Sequence, residues 1–187
     1  GWSWITHDNQ GFMVGSFISG AFVGPNLEDM GNAPLLRYYT LITDDDLSVW
    51  TLDRTRIYHY VNRVQSPAFG VRIAGITGED AFGNGLADRM AMGNKSFFVT
   101  THLDQTNPKI YRLAKSDPAN PIKSKMTNLP YVPQTLHAIK SSRTIVATVW
   151  KSNEIHLIDS RTLTTYATIN IDNEEKVKIA SYNNAGN

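Results

Sequence analysis

The stretch Ile145-Val146-Ala147-Thr148-Val149-Trp150-Lys151-Ser152-Asn153-Glu154-Ile155-His156-Leu157-Ile158-Asp159-Ser160-Arg161-Thr162-Leu163 decides the fold. Its apolar residues are mostly branched and fall in two short runs, separated by Lys151-Ser152-Asn153 and closed by Ser160-Arg161-Thr162. Branched side chains fit a pleated surface and small polar clusters reverse the chain, so the stretch reads as a β-hairpin followed by a further turn. Working outward, residues 135–171 divide into four strands, Thr135–Ile139, Thr144–Trp150, Glu154–Asp159 and Thr164–Ile171. The first two are joined by the polar Lys140-Ser141-Ser142-Arg143.

The same grammar returns about 48 residues upstream, a spacing typical of repeat folds. There the strands are Met90–Met92, Ser96–Leu103, Lys109–Ala114 and Pro121–Met126, with Gly93-Asn94-Lys95 and Asp104-Gln105-Thr106-Asn107-Pro108 as breakers. A weaker third copy runs through Leu35–Ile42, Leu47–Leu52 and Ile57–Val61, and Asp44-Asp45-Asp46 falls where its hairpin turn belongs.

Four antiparallel strands recurring every roughly 40 to 50 residues mark β-propeller blades. Residues 145–163 resemble a blade of the YVTN-type or quinoprotein-like β-propellers. In that family the third strand often ends in a hydrophobic residue, Asp, a turn and Leu, which Ile158-Asp159-Ser160-Arg161-Thr162-Leu163 reproduces. The resemblance is best at residues 135–171 and weaker at 90–126. It implies an all-β, propeller-like array of about four antiparallel four-stranded blades; a β-sandwich is the alternative that such hairpins leave open. No Trp-Asp dipeptide of WD40 type, no kelch-type Gly-Gly and no sialidase-type Asp box occurs. At about 45 residues per blade, the 187 residues make about four blades, the smallest closed ring. An open ring exposes sheet edges, so the expectation is a small ring, or part of a larger propeller completed by further sequence or another chain.

Composition agrees. Asp outnumbers Glu twelve to five and there are fifteen Asn, which favours turns over helix interiors. The longest helical spacing, Leu86–Met92, is barely two turns. We divide the chain as one all-β domain: 1–34 irregular or apolar strands, 35–64 a weak blade, 65–88 a Gly-rich insertion, 89–134 and 135–171 blades, and 172–187 a polar segment or the start of a further blade.

Eighteen Lys+Arg against seventeen Asp+Glu give a net charge of +1, with the basic residues scattered. Phosphate backbones are bound by concentrated Lys and Arg, so nucleic acid is not an expected partner. The absence of cysteine excludes disulfide scaffolds, iron–sulfur clusters, thiolate zinc sites and cysteine nucleophiles, and leaves the compartment open. Residues 9–27 carry no charge and hold two Gly-x-x-x-Gly spacings, Gly11/Gly15 and Gly20/Gly24. Their apolar core, 11–24, is shorter than a bilayer span, and its alternation suits a strand buried on both faces. Buried strands are the reading here, with membrane insertion the lesser one.

The candidate binding residues are Glu79 and Asp80 in the Gly-rich loop between blades, and Asp44, Asp45 and Asp46 in the acidic turn, because loops on rigid scaffolds carry function. Asn94-Lys95-Ser96 is a glycosylation sequon in a hairpin turn. For acid–base chemistry Asp46, Glu79, Asp104 and Glu154 are available, but no spacing singles out a pair. His7, His59, His102, His137 and His156 supply imidazoles; the last four are expected on the fourth, second, first and third strands of their blades, which does not converge them on a metal. Trp2, Trp4, Trp50, Trp150, Tyr38, Tyr39, Tyr58 and Tyr60 read as inter-blade core more than as a stacking platform for sugar.

A repeat scaffold without a convergent catalytic pattern reads as a non-catalytic binding or structural module, with a protein or glycan partner and no cofactor. Surface or virion-type assembly is the expected setting, hence extracellular, cell-surface or virion. The alternative is a propeller-type enzyme, a glycan-active hydrolase or lyase or a quinoprotein-like oxidoreductase, with its site drawn from several blades.

Overall fold

Turn-forming clusters interrupt this chain every six or seven residues, too often for a helix to nucleate and propagate. The computed structural model follows that constraint: every regular element among the described residues is a strand. The described residues are 3–16, 19–33, 40–53, 56–67, 70–72, 87–101, 108–117, 126–149 and 151–171. Among them no helix is long and apolar enough to cross a membrane.

The chain divides into two compact units, Gly1–Ile73 and Ala74–Asn187. In the first, β1 (Ser3–Asp8), β2 (Gly11–Ser16), β3 (Gly20–Val23) and β4 (Asp29–Ala33) form an antiparallel sheet in chain order. A second sheet follows from β5 (Thr40–Thr43), β6 (Val49–Asp53), β7 (Arg56–Val61) and β8 (Val64–Gln65). Its fourth strand is split: β8 pairs one end of β7, and β9 (Val71–Arg72) pairs the other, with Arg56 Nη1 donating to the Gly70 carbonyl at 2.6 Å. His59 therefore sits on a third strand, not the fourth expected from sequence, because β8 follows it after a two-residue turn at Asn62-Arg63.

In the second unit β10 (Ala87–Met92), β11 (Ser96–Thr101), β12 (Lys109–Ala114) and β13 (Met126–Asn128) form the third sheet. The fourth comprises β14 (Pro133–Ile139), β15 (Thr144–Val149), β16 (Glu154–Asp159) and β17 (Thr165–Asn170), close to the boundaries read from residues 135–171. All four sheets are four-step antiparallel meanders, so the expected all-β blade array is the architecture found.

Within each unit the two sheets pack face to face with their first strands adjacent, β1 beside β5 and β10 beside β14. Thr6 and Thr43 hydroxyls meet at 2.5 Å across the first pair, and Arg89 Nε donates to the Gln134 carbonyl at 2.5 Å across the second. Met13, Phe22, Leu41, Val49, Tyr58 and Tyr60 form the core of the first unit, with Trp4 packed against it. Ala91, Phe98, Ile110, Leu136, Ile145 and Ile158 are central to that of the second. In the second unit the second strands are the most enclosed: β11 is buried at all six positions and β15 at five of six. Each fully buried Ile or Leu contributes about 1.5–3 kcal/mol. β2 differs from the two-sided burial read from its sequence. Met13 and Gly15 are buried while Phe12 and Val14 are half-covered, since the packing against the second sheet uses one face.

Three hairpins share a feature that L-residues usually avoid. Leu27, Leu47 and Leu163 take φ of 65°, 62° and 62°. In Gly24–Glu28 and Asp44–Ser48 the pattern is the same: the first residue's N–H donates to the carbonyl of the fifth, and the leucine N–H donates back to the first. This is a type I turn followed by a left-handed residue, where glycine is usual. The Asp159–Thr164 turn is one residue longer, and the Asp159 carboxylate accepts the N–H groups of Arg161 and Thr162, both at 2.8 Å. Leu163 is 1% exposed, so burial offsets the backbone cost, whereas Leu27 is 75% exposed and has no such return. Leu27→Gly should therefore raise stability by about 1 kcal/mol at most, since the left-handed cost exceeds glycine's chain entropy. Leu163→Gly should lower it by about 2–4 kcal/mol. Urea denaturation of the two variants checks the opposite signs.

Asp8 and Arg63 lock the two sheets of the first unit. Arg63 Nε and Nη2 grip the Asp8 carboxylate at 2.8 and 3.0 Å, with both side chains at least nine-tenths buried. Nη2 also donates to the Val23 carbonyl at 2.9 Å, and the guanidinium lies 5.1 Å over the Phe22 ring. Beside it the Asn9 amide donates to the Asn62 side chain, joining the same two turns. Gly11 fits here at φ 133° because a Cβ would stand 2.3 Å from the Val23 carbonyl oxygen. Burial alone would raise the Asp8 carboxyl, but the hydrogen bonds from Arg63 and the Gln10 and Gly11 N–H groups, with the Arg63 charge, hold it below its ordinary value. The stability from this pair is thus complete above the unfolded carboxyl pKa of about 4 and is lost as pH falls through the lowered folded value. Arg63→Met should cost about 3–5 kcal/mol near neutrality by stranding a buried carboxylate. The gap between wild type and variant should narrow from pH 6 to about 3 in chemical denaturation; a constant gap contradicts the assignment.

Candidate functional site

An antiparallel meander of four strands places its first-to-second and third-to-fourth turns at one end, because direction reverses at each turn. In the second unit that end carries Gly93-Asn94-Lys95 between β10 and β11, residues 140–143 between β14 and β15, and Ser160-Arg161-Thr162 after β16. Because β10 lies beside β14, the turns of the two sheets come together around a half-open cleft of about 310 Å³. That volume lies at the lower end of the range for ligand pockets.

The floor is apolar and comes from the core: Phe98 and Ala138 are buried, and Ile139 extends it outward. Lys95, Lys140 and Arg112 are the basic residues among the described lining residues. Hydroxyls of Ser96, Ser142, Thr144 and Ser160 lie between them. Several bonds fix these groups. The Asn94 amide donates to the Lys140 carbonyl at 3.1 Å, tying a turn of the third sheet to one of the fourth. Arg112 Nε donates to Ser96 Oγ at 3.1 Å, the Lys115 N–H to the Lys95 carbonyl at 3.1 Å, and the Ser160 N–H to the Arg143 carbonyl at 2.7 Å. Thr144 Oγ1 and Tyr166 OH share a 2.8 Å bond. Arg112, held at Nε by Ser96, and the lining hydroxyls can meet an acceptor group of a bound molecule.

Apart from Asn94, the residues singled out from sequence lie elsewhere or outside the described set. Asp44, Asp45 and Asp46 form the β5–β6 turn of the first unit, where the carboxylates shape the turn itself. Asp44 accepts the Asp45 N–H at 2.9 Å, and Asp46 accepts the Ser48 N–H at 3.0 Å and its hydroxyl at 2.5 Å. Burial raises the Asp46 carboxyl, but the Ser48 bonds outweigh that and hold it low. Glu79, Asp80, Asp104 and His102 lie outside the described residues, as do Trp2, Trp150, Tyr38 and Tyr39. Asn94 is exposed at its turn and is the one sequence-selected residue that lines the cleft.

Histidines and aromatics are used within the sheets. His59 stacks on Trp50, directly opposite on β6, with ring centroids 3.9 Å apart, and its Nδ1 meets Ser66 Oγ at 2.9 Å. His156 pairs with Glu154 at 3.1 Å and packs under Tyr131, centroids again 3.9 Å apart. Burial lowers the pKa of His137 on β14. Trp50, Tyr58 and Tyr60 are buried, as expected for core aromatics. Among the described residues no three of His, Asp and Glu gather into a metal-holding group. Lys95, Lys140 and Arg112 were not singled out from sequence, because scattered bases give no linear signal. The turns that hold Lys95 and Lys140 were legible, and pairing equivalent turns of successive repeats would have brought those two together.

No protein-family profile matches this chain, and no curated protein matches it. Solved structures do. The WD40 domain of Neurospora crassa Pan2 is similar at TM-score 0.62 and 17% identity, over 89% of this chain and 49% of that one. The RRP9 WD40 repeats match at 0.61 and 9%, over 89% and 52%. A chain in the mitotic checkpoint complex matches at 0.69 and 8%, over 96% and 54%. This chain spans about half the length of those structures. At such identities the likeness is one of fold, and it establishes β-propeller blades broadly without singling out the YVTN or quinoprotein type.

Proposed function

We propose that this chain is a non-catalytic, propeller-type interaction module that presents its hairpin turns to a protein partner. The observation that carries the reading is the cleft of the second unit, built from three turns on two sheets whose second strands are buried almost throughout. A rigid scaffold holds such turns at little entropic cost on binding, which is how a small surface gains affinity. The likeness to WD40 domains supports it, one of those neighbours coming from a structure of the mitotic checkpoint complex. Glycan recognition has less support, since Phe98, the aromatic among the described lining residues, is buried and gives a sugar little ring face to stack on.

Display selection of random linear peptides on the immobilised full chain tests the reading. Selected sequences should bind with dissociation constants in the micromolar range, on the order of −8 kcal/mol, and Asn94→Ala with Ser142→Ala should weaken them. Failure to enrich any sequence, with oligosaccharides binding instead, would overturn it.

A further inference from the structure

We infer that the open edge of β17 docks a second copy of this chain, the two β17 strands pairing antiparallel about a two-fold axis at Ile169. This pairing is separate from the cleft and stands whether or not the cleft binds a protein. A sheet edge presents a row of backbone donors and acceptors, which proteins blunt with short strands, charges or bulges. Among the described residues the outer strands of three sheets are blunted in this way. β4 carries Asp29 and a register shift that takes in Gly31 at φ 100°, β8 has two residues, and β13 has three. β17 has six residues, no charge and no proline, and its one neighbour among the described strands is β16. Its irregularity is Tyr166, left over where the register shifts between Leu157 and Ile158, so the regular run is 167–171.

The hydrogen bonds of that run fix which backbone groups face outward. Ile171 N–H donates to the Asn153 carbonyl at 3.0 Å, and antiparallel bonding alternates along a strand. Ile169 and Ala167, opposite Ile155 and Leu157, therefore turn their backbone groups toward β16, while Thr168 and Asn170 turn theirs to the open edge. With a two-fold axis at Ile169, Thr168 of each copy faces Asn170 of the other, and the two pairs exchange four hydrogen bonds. Ile169 then meets its own copy in the closer, non-hydrogen-bonded position, which covers a side chain that is 46% exposed in the single chain. Charge points to a second copy as the occupant. A two-fold axis sets a strand against itself, so a charged edge repels its copy, whereas Thr165-Tyr166-Ala167-Thr168-Ile169-Asn170 does not.

The test is sedimentation velocity and residue-resolved amide exchange on the full chain, from about 10 μM to about 1 mM. The wild type should move from one chain of 20.9 kDa toward two, with a dissociation constant on the order of 100 μM. Over the same range the Thr168 and Asn170 amides should gain at least about fivefold protection, and those of Ala167 and Ile169, already turned to β16, should gain less. Asn170→Pro removes an outward N–H without touching the ladder to β16, and Ile169→Lys sets like charges face to face; each should weaken dimerisation at least about tenfold, and Ile169→Val should keep it. Far-UV circular dichroism on each variant shows that the fold is kept. A single chain throughout the range, association that survives both disruptive variants, growth beyond two chains, or protection that spares Thr168 and Asn170 overturns the inference.

Discussion

Antiparallel meander topology is the constraint on which the rest depends. Once four short strands pair in chain order, alternate turns must share an end, and packing two such sheets with their first strands adjacent gathers those turns. In the second unit the enclosed second strands make the arrangement stiff. Residues such as Phe97, Val99, Ile145 and Ala147 have no exposed surface, so the turns at their ends inherit a fixed spacing. Function is then left to the turns, where sequence can change without disturbing the core.

The two units use the same topology differently. In the first, the shared end is closed by the Asp8–Arg63 pair and the Asn9–Asn62 contact, which join the turns of neighbouring sheets by charge and hydrogen bonds. In the second, the bond from the Asn94 amide to the Lys140 carbonyl links corresponding turns, and a cleft opens beside it. One end is locked and the other is accessible, although both follow from one strand pattern.

Much of this was legible in sequence. Residues 135–171 gave their four strands because branched runs alternate with unambiguous polar turns, and the copy at 90–126 followed by period. Residues 3–33 hid a full sheet because Gly11, Gly15, Gly20 and Ser16 dilute the branched residues that signal strands. A usable signal was present in the three-residue spacing of Leu27 after Gly24 and of Leu47 after Asp44, which marks equivalent turns. The candidate site was less legible. Lys95, Arg112 and Lys140 are far apart in the chain, and only the adjacency of β10 and β14 brings them together. The Asp44-Asp45-Asp46 run drew notice as charge, whereas two of its carboxylates are committed to their own turn.

The cleft depends most on the turns of the third and fourth sheets facing one another, and the absence of cysteine makes that directly measurable. Asn94→Cys with Ser142→Cys, treated with a short bis-maleimide at high dilution, should give an intramolecular cross-link at monomer mass, with one bridged product joining the peptides that contain positions 94 and 142. Cross-links that form only between molecules, in a chain whose circular dichroism remains that of the wild type, would contradict the arrangement on which the cleft rests.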